Sequence, residues 1–347
     1  MSATAGPPFP DVTVLLGDPQ RPDVTKVDAR YSVEDLDAVR RMQTALERLA
    51  DYRFRYLDEH ARWLTELVAH PPAFALNFCD TGFRNVASQE LHVAALLEML
   101  DVPYSGSPPR CLAACYDKAL VRAVAVAHGV PVPGEVFVRG CAPDVPLPVG
   151  FPALIKPNVG DGSVGITRES VVHGEHEARS RLAQLRDEWP GCDGLVQEFL
   201  DGPEYAIGLV GNPEAGFTVL PALQVDYGNL DAGLPHILSY ESKTVPDSPY
   251  WRQLRYRPAQ LTRDRLERLT AAATLLFWRL GCRDYARIDF RCDDDGEPRL
   301  LEVNPNPAWC WDGKLQIMAG FGGHDETSLL GAILEAAQRR EAAARQR

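Results

Sequence analysis

The stretch DYARIDFRCDDDGEPRLLEVNPNP, residues 284–307, is the part of this chain that most clearly predicts its fold. Side-chain character alternates along residues 286–291, as it does in a strand. Residues 293–296 have the Asp-Gly chemistry of a hairpin turn, and residues 299–303 are typical of the returning strand. The stretch is therefore predicted to be a β-hairpin.

The predicted hairpin carries a cluster of polar side chains on one face. Because neighbouring residues of a strand face opposite sides, Arg287 and Asp289 point the same way, and Glu302 and Asn304 form a matching pair on the partner strand. Two carboxylates and an amide oxygen around one point suit Mg²⁺, which proteins often share with substrate phosphates. Taken alone, these residues equally fit a solvated hairpin face with a chance pair of carboxylates.

Length and composition limit the class of protein. A chain of 347 residues is predicted to form two or three domains. Its 48 acidic residues outnumber its 36 basic ones, and the net charge of −12 argues against a nucleic-acid partner, although ATP needs only a few well-placed lysines. The eight cysteines include no Cys-x-x-Cys pair, so we expect reduced core thiols rather than a zinc site.

No feature of the sequence predicts export or a membrane span. Residues 1–10 are small and Pro-rich and lack the apolar core of a secretory signal. No run approaches the ~18 apolar residues that a bilayer span requires. We therefore expect a cytoplasmic protein with no membrane partner.

Strands and helices alternate along the first third of the chain, which implies a parallel sheet with helices on both sides. The predicted strands and helices of this part are, in order, 12–16, 32–49, 52–57, 59–69, 73–77 and 88–100. Beyond it, the predicted helices are 117–129, 175–188, 262–280 and a final helix, and the predicted short strands are 153–156, 171–172, 195–199 and 205–210. Residues 240–251 are expected to form an acidic, Pro-rich loop.

A glycine-rich loop follows the strand that ends at Lys156. In the segment KPNVGDGSVG, residues 156–165, three glycines leave backbone N–H groups free to turn toward an anion, and the lysine adds a mobile positive charge. The segment lacks the Gly-Lys-Ser/Thr ending of a Walker A loop and is not the dinucleotide fingerprint. A phosphate-binding loop and a flexible surface turn are the two interpretations that these residues leave open.

Five segments, taken in order and spacing, resemble the ATP-grasp superfamily, and in particular its D-alanine–D-alanine ligase branch. These segments are residues 90–106, 116–118, 156–165, 197–204 and 287–304. The resemblance implies an α/β, three-domain ATP-grasp fold, in which ATP lies between the central and C-terminal sheets. The implied division is an N-terminal Rossmann-like (pre-ATP-grasp) domain at 1–112, a central subdomain at 113–198 and a C-terminal subdomain at 199–347.

The resemblance also implies roles for individual residues. Lysines at 118 and 156 contact the phosphates, Glu204 holds the ribose, and Lys243 reaches the γ-phosphate from a lid loop at residues 239–247. The residues expected to bind ATP are Lys118, Lys156, Gly162, Ser163, Gln197, Glu198, Leu200, Glu204 and Lys243. Those expected to hold Mg²⁺, or Mn²⁺ in its place, are Asp289, Glu302 and Asn304. Those expected to act in catalysis are Arg287, Lys243 and Ser163.

The activity that the resemblance implies is the joining of two small molecules, a carboxylate and an amine, driven by ATP. The carboxylate attacks the γ-phosphate to give an acyl phosphate and ADP, and the amine then displaces the phosphate. Charge develops on oxygens in both steps, and Mg²⁺, the lysines and Arg287 are the groups that stabilise it. Relatives of this fold are often dimers, so a homodimer is expected.

Several positions depart from the family's pattern. The N-terminal Gly-Gly-x-Ser-x-Glu signature is missing, and Asp18 either replaces its glutamate or is a turn residue. The family's loop serine aligns with Gly162, which leaves the neighbouring Ser163, and the family's lid tyrosine aligns with Thr244. These departures leave the nucleotide-binding segments in place.

The segment after Asn304 departs most. Residues 305–314, PNPAWCWDGK, replace the small and hydroxyl residues that seat the family's second substrate, and the two tryptophans, Trp309 and Trp311, form either a substrate wall or ordinary packing. Further substrate candidates after the third strand are Asn77, Asp80, Arg84 and Asn85. We therefore expect a ligase with substrates other than D-alanine. The alternatives are an amidine-forming ligase that activates an amide, and a non-catalytic ATP-binding regulator.

Overall fold

The computed structural model describes residues 6–160, 162–231, 233–245 and 247–346. The first part of the chain contains β1 (Asp11–Leu15), α1 (Val33–Glu47), β2 (Arg53–Leu57), α2 (His60–Ala69), β3 (Ala75–Asn77) and α3 (Glu90–Met99). Its three strands form a parallel sheet in the order β2-β1-β3. This confirms the parallel arrangement that the alternation of strands and helices predicts.

A second sheet is built from the middle of the chain. Its elements, with the two helices that precede it, are α4 (Pro109–Tyr116), α5 (Lys118–Ala127), β4 (Glu135–Val138), β5 (Ala153–Pro157), β6 (Val171–Val172), α6 (Glu175–Glu188) and β7 (Gly194–Glu198). The four strands pair antiparallel in the order β4-β7-β5-β6. Helix α6 buries Leu182 and Leu185 against Ile155 and Val196 of this sheet, as its apolar spacing allows.

The third sheet is the largest and is antiparallel. Its elements and the helices around it are β8 (Glu204–Asn212), β9 (Gly216–Val219), β10 (Leu223–Asp226), α7 (Glu241–Thr244), α8 (Pro249–Gln253), β11 (Arg255–Pro258), α9 (Arg263–Leu280), β12 (Tyr285–Cys292), β13 (Pro298–Asn304), α10 (Lys314–Phe321) and α11 (Glu326–Arg345). The strand order is β11-β10-β8-β12-β13, with β9 beside β8.

The predicted hairpin is the pair β12–β13. Asp289 lies opposite Glu302 and Arg287 lies opposite Asn304, so the four polar side chains share one face, as their spacing predicts. The other face of β12 is apolar, because Ile288 and the alternating residues on either side of it pack against α9. Burial of that face fixes which way the polar residues point.

Several elements were not predicted. Strands β4, β9, β10 and β11 and helices α4 and α10 went unrecognised, because they are short and, at the sheet edges β9 and β11, largely exposed. The loop predicted for residues 240–251 is wrong in part, since it contains α7 and the start of α8, which Ser248 caps and Pro249 begins. Among the described residues, no helix combines the length and the apolar character needed to cross a membrane.

Asp284, at the start of β12, joins three parts of the molecule. Its carboxylate is fully buried and accepts hydrogen bonds from Arg340 of α11 at 2.8 and 2.9 Å, from Asn212 of β8 at 2.9 Å, and from the backbone N–H of Gly106 at 2.8 Å. Arg340 also donates to the carbonyl of Tyr104 at 2.8 Å. The carboxylate therefore ties the third sheet to the last helix and to the end of the first α/β unit.

Replacing Asp284 by alanine is expected to lower the free energy of unfolding by about 3–5 kcal/mol, because the largely buried Arg340 loses its bidentate partner and keeps only Glu341 as a counter-charge. Chemical denaturation followed by circular dichroism measures the change. Asp295→Ala, in the exposed hairpin turn, is the matched control and should shift the unfolding free energy by less than about 0.5 kcal/mol. Equal losses for the two variants would contradict this role of Asp284.

Candidate active site

A cavity of about 880 Å³ lies between the three sheets. Its walls come from the loop after β3, from β7 and from the polar face of the β12–β13 hairpin. Every residue for which the family resemblance implies a role lines this one cavity: Lys118, Lys156, Gly162, Ser163, Gln197, Glu198, Leu200, Glu204, Lys243, Arg287, Asp289, Glu302 and Asn304. Their roles are not decided by this placement, but their assembly in one place makes shared chemistry possible.

The hairpin face is a network of paired charges. The Arg287 Nε donates to both carboxylate oxygens of Asp289, at 2.8 and 3.1 Å, and its Nη2 lies 3.8 Å from Glu302 Oε1. The Asn304 amide donates to Glu302 at 3.3 Å. Glu302 remains partly open to the cavity, with 37% of its side chain exposed, whereas Asp289 has only 4%.

The charges on this face hold one another in the ionised state. Burial alone would raise the pKa of Asp289, but the charges and hydrogen bonds of Arg287 and Lys314 lower it to about 2. Burial alone would lower the pKa of Arg287, and the nearby carboxylates Asp289 and Glu302 instead raise it. The face therefore stays charged across the physiological pH range.

The central sheet contributes a second buried cation. Lys156, at the end of β5, is 5% exposed, and its ammonium donates to Gln197 Oε1 at 3.0 Å. Gln197 in turn donates to Glu135 at 2.6 Å. Desolvation lowers the pKa of Lys156 to about 8, with Lys118 contributing in the same direction. An incoming anion would relieve both effects, which is what a phosphate-binding lysine requires.

The glycine loop and the segment containing α7 meet across the cavity mouth. The Lys243 ammonium donates to Ser163 Oγ at 3.0 Å, and Lys118 donates to the carbonyl of Gly160. Gly162 and Ser163 both have positive φ, at 67° and 63°, which turns the loop sharply. Asp161 in the predicted loop and Pro246 in the predicted lid lie outside the described residues.

The residues expected around the nucleoside lie along the strands that border the cavity. Glu204, at the start of β8, accepts a hydrogen bond from Tyr227 Oη at 2.7 Å and lies 3.9 Å from Arg291 Nη1. The Glu198 carboxylate accepts from the backbone N–H of Gly134 at 3.0 Å, which fixes the end of β7 against the start of β4. Leu200 is buried beneath this edge.

One residue of the cavity, Lys314, was not predicted from the sequence. Lys314, the first residue of α10, places its ammonium 3.3 Å from Asp289 Oδ2 and 3.6 Å from Glu204 Oε1, with 9% of its side chain exposed. It therefore links the expected metal ligand to the expected ribose ligand. This position lies at the end of the divergent segment 305–314, where the resemblance implies no role for a lysine.

The distribution of lysines along the sequence could have identified Lys314. The chain has five lysines, Lys26, Lys118, Lys156, Lys243 and Lys314, and all five line the cavity. Every other basic side chain is an arginine or a histidine. A sequence that excludes lysine from the rest of its surface marks each lysine as a candidate for the site.

Several substrate-binding candidates in the first part of the chain do not line the cavity. Asp18 is a turn residue, because its buried carboxylate accepts from the backbone N–H groups of Gln20 at 2.9 Å and His60 at 3.0 Å and does not line the cavity. Asn77, Arg84 and Asn85 are also not among the cavity's lining residues. The side chain of Asn85 binds the backbone of Asp18. Its Oδ1 accepts from the Asp18 N–H at 2.9 Å, and its Nδ2 donates to the Asp18 carbonyl at 2.7 Å.

Asp80 and the two tryptophans do line the cavity. Trp309 is both wall and packing residue, since its indole N–H donates to the carbonyl of Phe78 at 2.8 Å and its ring stacks on the Phe78 ring. Trp311 is 44% exposed, with the Arg41 guanidinium 4.6 Å above its ring. Desolvation raises the pKa of Asp80 to about 6, although Lys26 opposes the shift.

Amine-selective labelling should distinguish the cavity lysines. Desolvation within the cavity and the charge of Lys314 lower the pKa of Lys243 to about 8, while its side chain stays open to solvent in the cavity. Asp289 and Glu204 overcome desolvation and raise the pKa of Lys314. Lys243 is therefore expected to react faster as the pH rises through about 8, and Lys314 to stay protected.

Reductive methylation followed by peptide mass spectrometry measures both rates, with Lys314 as the internal control. Equal rates at the two lysines would contradict the charge arrangement described above.

Comparisons with known proteins identify the family of this chain. A family model described as the D-ala D-ala ligase C-terminus matches residues 141–335. The uncharacterized protein y4sG of Sinorhizobium fredii is 33% identical over 72% of this chain and 70% of its own length. D-alanine–D-alanine ligase of Bordetella pertussis is 30% identical over 72% of this chain and 75% of its own.

Solved structures share the fold over nearly the whole chain. D-alanine–D-alanine ligase of Bacillus anthracis complexed with ATP has a TM-score of 0.71 at 21% identity, covering 96% of this chain and 99% of that one. VanG D-Ala:D-Ser ligase of Enterococcus faecalis has a TM-score of 0.68 at 16% identity, covering 95% and 99%. The sequence and family matches show that this chain belongs to the D-alanine–D-alanine ligase family of ATP-grasp proteins.

Proposed function

We propose that this protein is an ATP-dependent ligase that joins a carboxylate to an amine through an acyl phosphate. The observation that carries the proposal is the single hairpin face on which Arg287, Asp289, Glu302 and Asn304 meet, with Lys243 facing the same cavity. The name of the Bacillus anthracis neighbour, a ligase complexed with ATP, supports ATP as the nucleotide.

The residues of the hairpin face fit a divalent ion. Asp289, Glu302 and Asn304 supply two carboxylates and an amide oxygen, which are the hard ligands that Mg²⁺ prefers, with Mn²⁺ as the alternative. The low pKa of Asp289 keeps one of the carboxylates ionised without any metal. When bound, the ion would neutralise charge on the phosphate oxygens.

The cations of the cavity are suited to phosphoryl transfer. Lys118 and Lys156 would hold the nucleotide phosphates, with the glycine loop closing over them. The substrate carboxylate attacks the γ-phosphorus, the bond to the β-phosphate oxygen breaks, and ADP leaves. Lys243 and Arg287 would stabilise the charge that spreads over the transferred oxygens, because both line the cavity and carry positive charge.

Amide formation would use the same cavity. The amine attacks the carbonyl carbon of the acyl phosphate, and phosphate leaves with an oxygen that came from the carboxylate. Arg287 would hold the oxyanion of the tetrahedral intermediate. The Lys243–Ser163 hydrogen bond joins the segment at 239–247 to the glycine loop, which supports a lid that keeps water from the acyl phosphate.

The substrates are proposed to differ from two D-alanines. Asp18 is committed to a turn and cannot take the place of the missing family glutamate. Trp309, Trp311 and Asp80 also line the cavity, and we propose that they border the substrates. These bulky and acidic residues favour other small-molecule carboxylates and amines.

The domain boundaries, the oligomeric state and the cellular location are also proposals. The domain boundaries are proposed after residues 112 and 198, although α4 and α5 share a core with the third sheet, through contacts such as Cys111 and Val121 with Ile288. A homodimer and a cytoplasmic location are proposed from the sequence.

The direct test is a matrix screen of carboxylates and amines for ADP and phosphate release, with mass spectrometry of the products. Release is expected only when both partners are present, and ¹⁸O in the carboxylate should appear in the phosphate. An amidine product would instead identify an activated amide.

Arg287→Ala is the control that ties any release to this cavity. The rate of release should fall by about 10²- to 10³-fold, the effect of losing one oxyanion donor, with ATP binding retained. Phosphate release that needs no amine, or that is unaffected by this variant, would contradict the proposal.

A further inference from the structure

Lys314 occupies a position that a lysine does not ordinarily favour. It is the first residue of α10, directly after the N-cap Gly313, where the positive end of the helix dipole repels a cation. Its side chain is also more than nine-tenths buried, which costs the ammonium its hydration. The carboxylates of Asp289 and Glu204, at 3.3 and 3.6 Å, offset both effects.

This contact affects the expected metal ligand directly. Both oxygens of Asp289 are engaged, Oδ1 by Arg287 at 2.8 Å and Oδ2 by Arg287 at 3.1 Å and Lys314 at 3.3 Å. A metal ion that uses Asp289 must displace at least one of these cations. The like charges of the ion and the ammonium cannot share one carboxylate oxygen without strong repulsion.

Lys314 holds Asp289 less firmly than Arg287 does. Each cation faces two carboxylates, but the Arg287 Nε donates to both oxygens of Asp289, at 2.8 and 3.1 Å, whereas the Lys314 ammonium contacts one of them at 3.3 Å. Lys314 has a flexible four-carbon stem and presents a point charge with no fixed hydrogen-bonding plane. Its ammonium lies 5.8 Å from the centre of the Tyr256 ring, and both residues line the cavity.

The space into which Lys314 can move already attracts anions. Lys243 and Arg287 border it, and the charge of Lys314 is felt at Lys243, whose pKa it helps to lower. Three cations therefore face one part of the cavity, close to the carboxylates of the hairpin. Phosphate oxygens arriving there would draw the ammonium away from Asp289.

We propose that Lys314 is a positioning residue that acts as an internal counter-ion for the metal site. Without metal and nucleotide, its ammonium supplies the positive charge beside Asp289 and Glu204. When metal and nucleotide bind together, the ammonium moves to the anionic oxygens of the bound substrate. This inference rests on the proposed function, and it makes metal binding dependent on nucleotide, as a coupling between the two ligands.

Metal binding without turnover tests the inference. Free Mn²⁺ is measured by electron paramagnetic resonance, with and without a non-hydrolysable ATP analogue. Wild-type protein is expected to bind Mn²⁺ weakly alone and tightly with the analogue. Lys314→Met should bind Mn²⁺ about 10- to 100-fold more tightly in the absence of nucleotide, and the dependence on nucleotide should shrink accordingly.

Two further variants serve as controls for the loss of positive charge. Lys26→Met removes one positive charge from the same cavity, but Lys26 pairs with Asp35 at 2.7 Å and not with the hairpin, so its nucleotide-free metal affinity should match wild type. Lys314→Arg keeps a cation beside Asp289 and should retain weak metal binding. Thermal unfolding of each variant establishes that the protein is folded.

The outcomes separate the two proposals. Unchanged nucleotide-free affinity in Lys314→Met, or an equal rise in Lys26→Met, would overturn the role of Lys314. If Lys314→Met does not fold, nucleotide-free binding in wild type as tight as binding with the analogue would overturn it. Wild-type protein that binds no Mn²⁺ even with the analogue would instead count against the proposed function itself.

Discussion

The pairing of Arg287 with Asp289 is the interaction on which the cavity depends. Two residues apart on a central strand, they are forced to the same face because Ile288, between them, is packed against α9. A buried guanidinium or a buried carboxylate alone would be strongly unfavourable, and each makes the other tolerable. The strand can therefore present a permanently charged surface on one face, although Ile288 on its other face belongs to the hydrophobic core.

The other positive charges around this pair differ in the flexibility of the side chains that carry them. Arginine is rigid and always charged, and here it holds carboxylates on strands. Lysine is a mobile point charge whose pKa responds to its surroundings, and the chain places all five of its lysines at the cavity. Lys156 and Lys243, with pKa values lowered to about 8, form no salt bridge with any carboxylate in the described ranges, which is consistent with the proposed binding of an anion. Lys314 has two such partners, Asp289 and Glu204, and we propose that it exchanges them for the oxygens of a bound ligand.

Much of this could be predicted because it follows from local periodicity. A period of two places Arg287 with Asp289 and Glu302 with Asn304, whatever surrounds the hairpin, and glycines with positive φ mark the loop at 160–165. The meeting of Lys314 with Asp289 could not be predicted in that way, since the two residues lie on different elements and join only through tertiary packing. Asp18 was ambiguous for the same reason, because its hydrogen bond to His60 decides between turn and site. The short helices around Lys243 were hidden by a composition that is equally typical of loops.

We propose that metal and phosphate meet on the polar face of the β12–β13 hairpin. Crystals grown with Mn²⁺ and a non-hydrolysable ATP analogue, measured at the manganese absorption edge, would locate the metal. We expect an anomalous peak coordinated by the carboxylates of Asp289 and Glu302 and by the amide oxygen of Asn304, beside the nucleotide phosphates. A peak bound elsewhere in the cavity, with Arg287 and Lys314 still on Asp289, would contradict it.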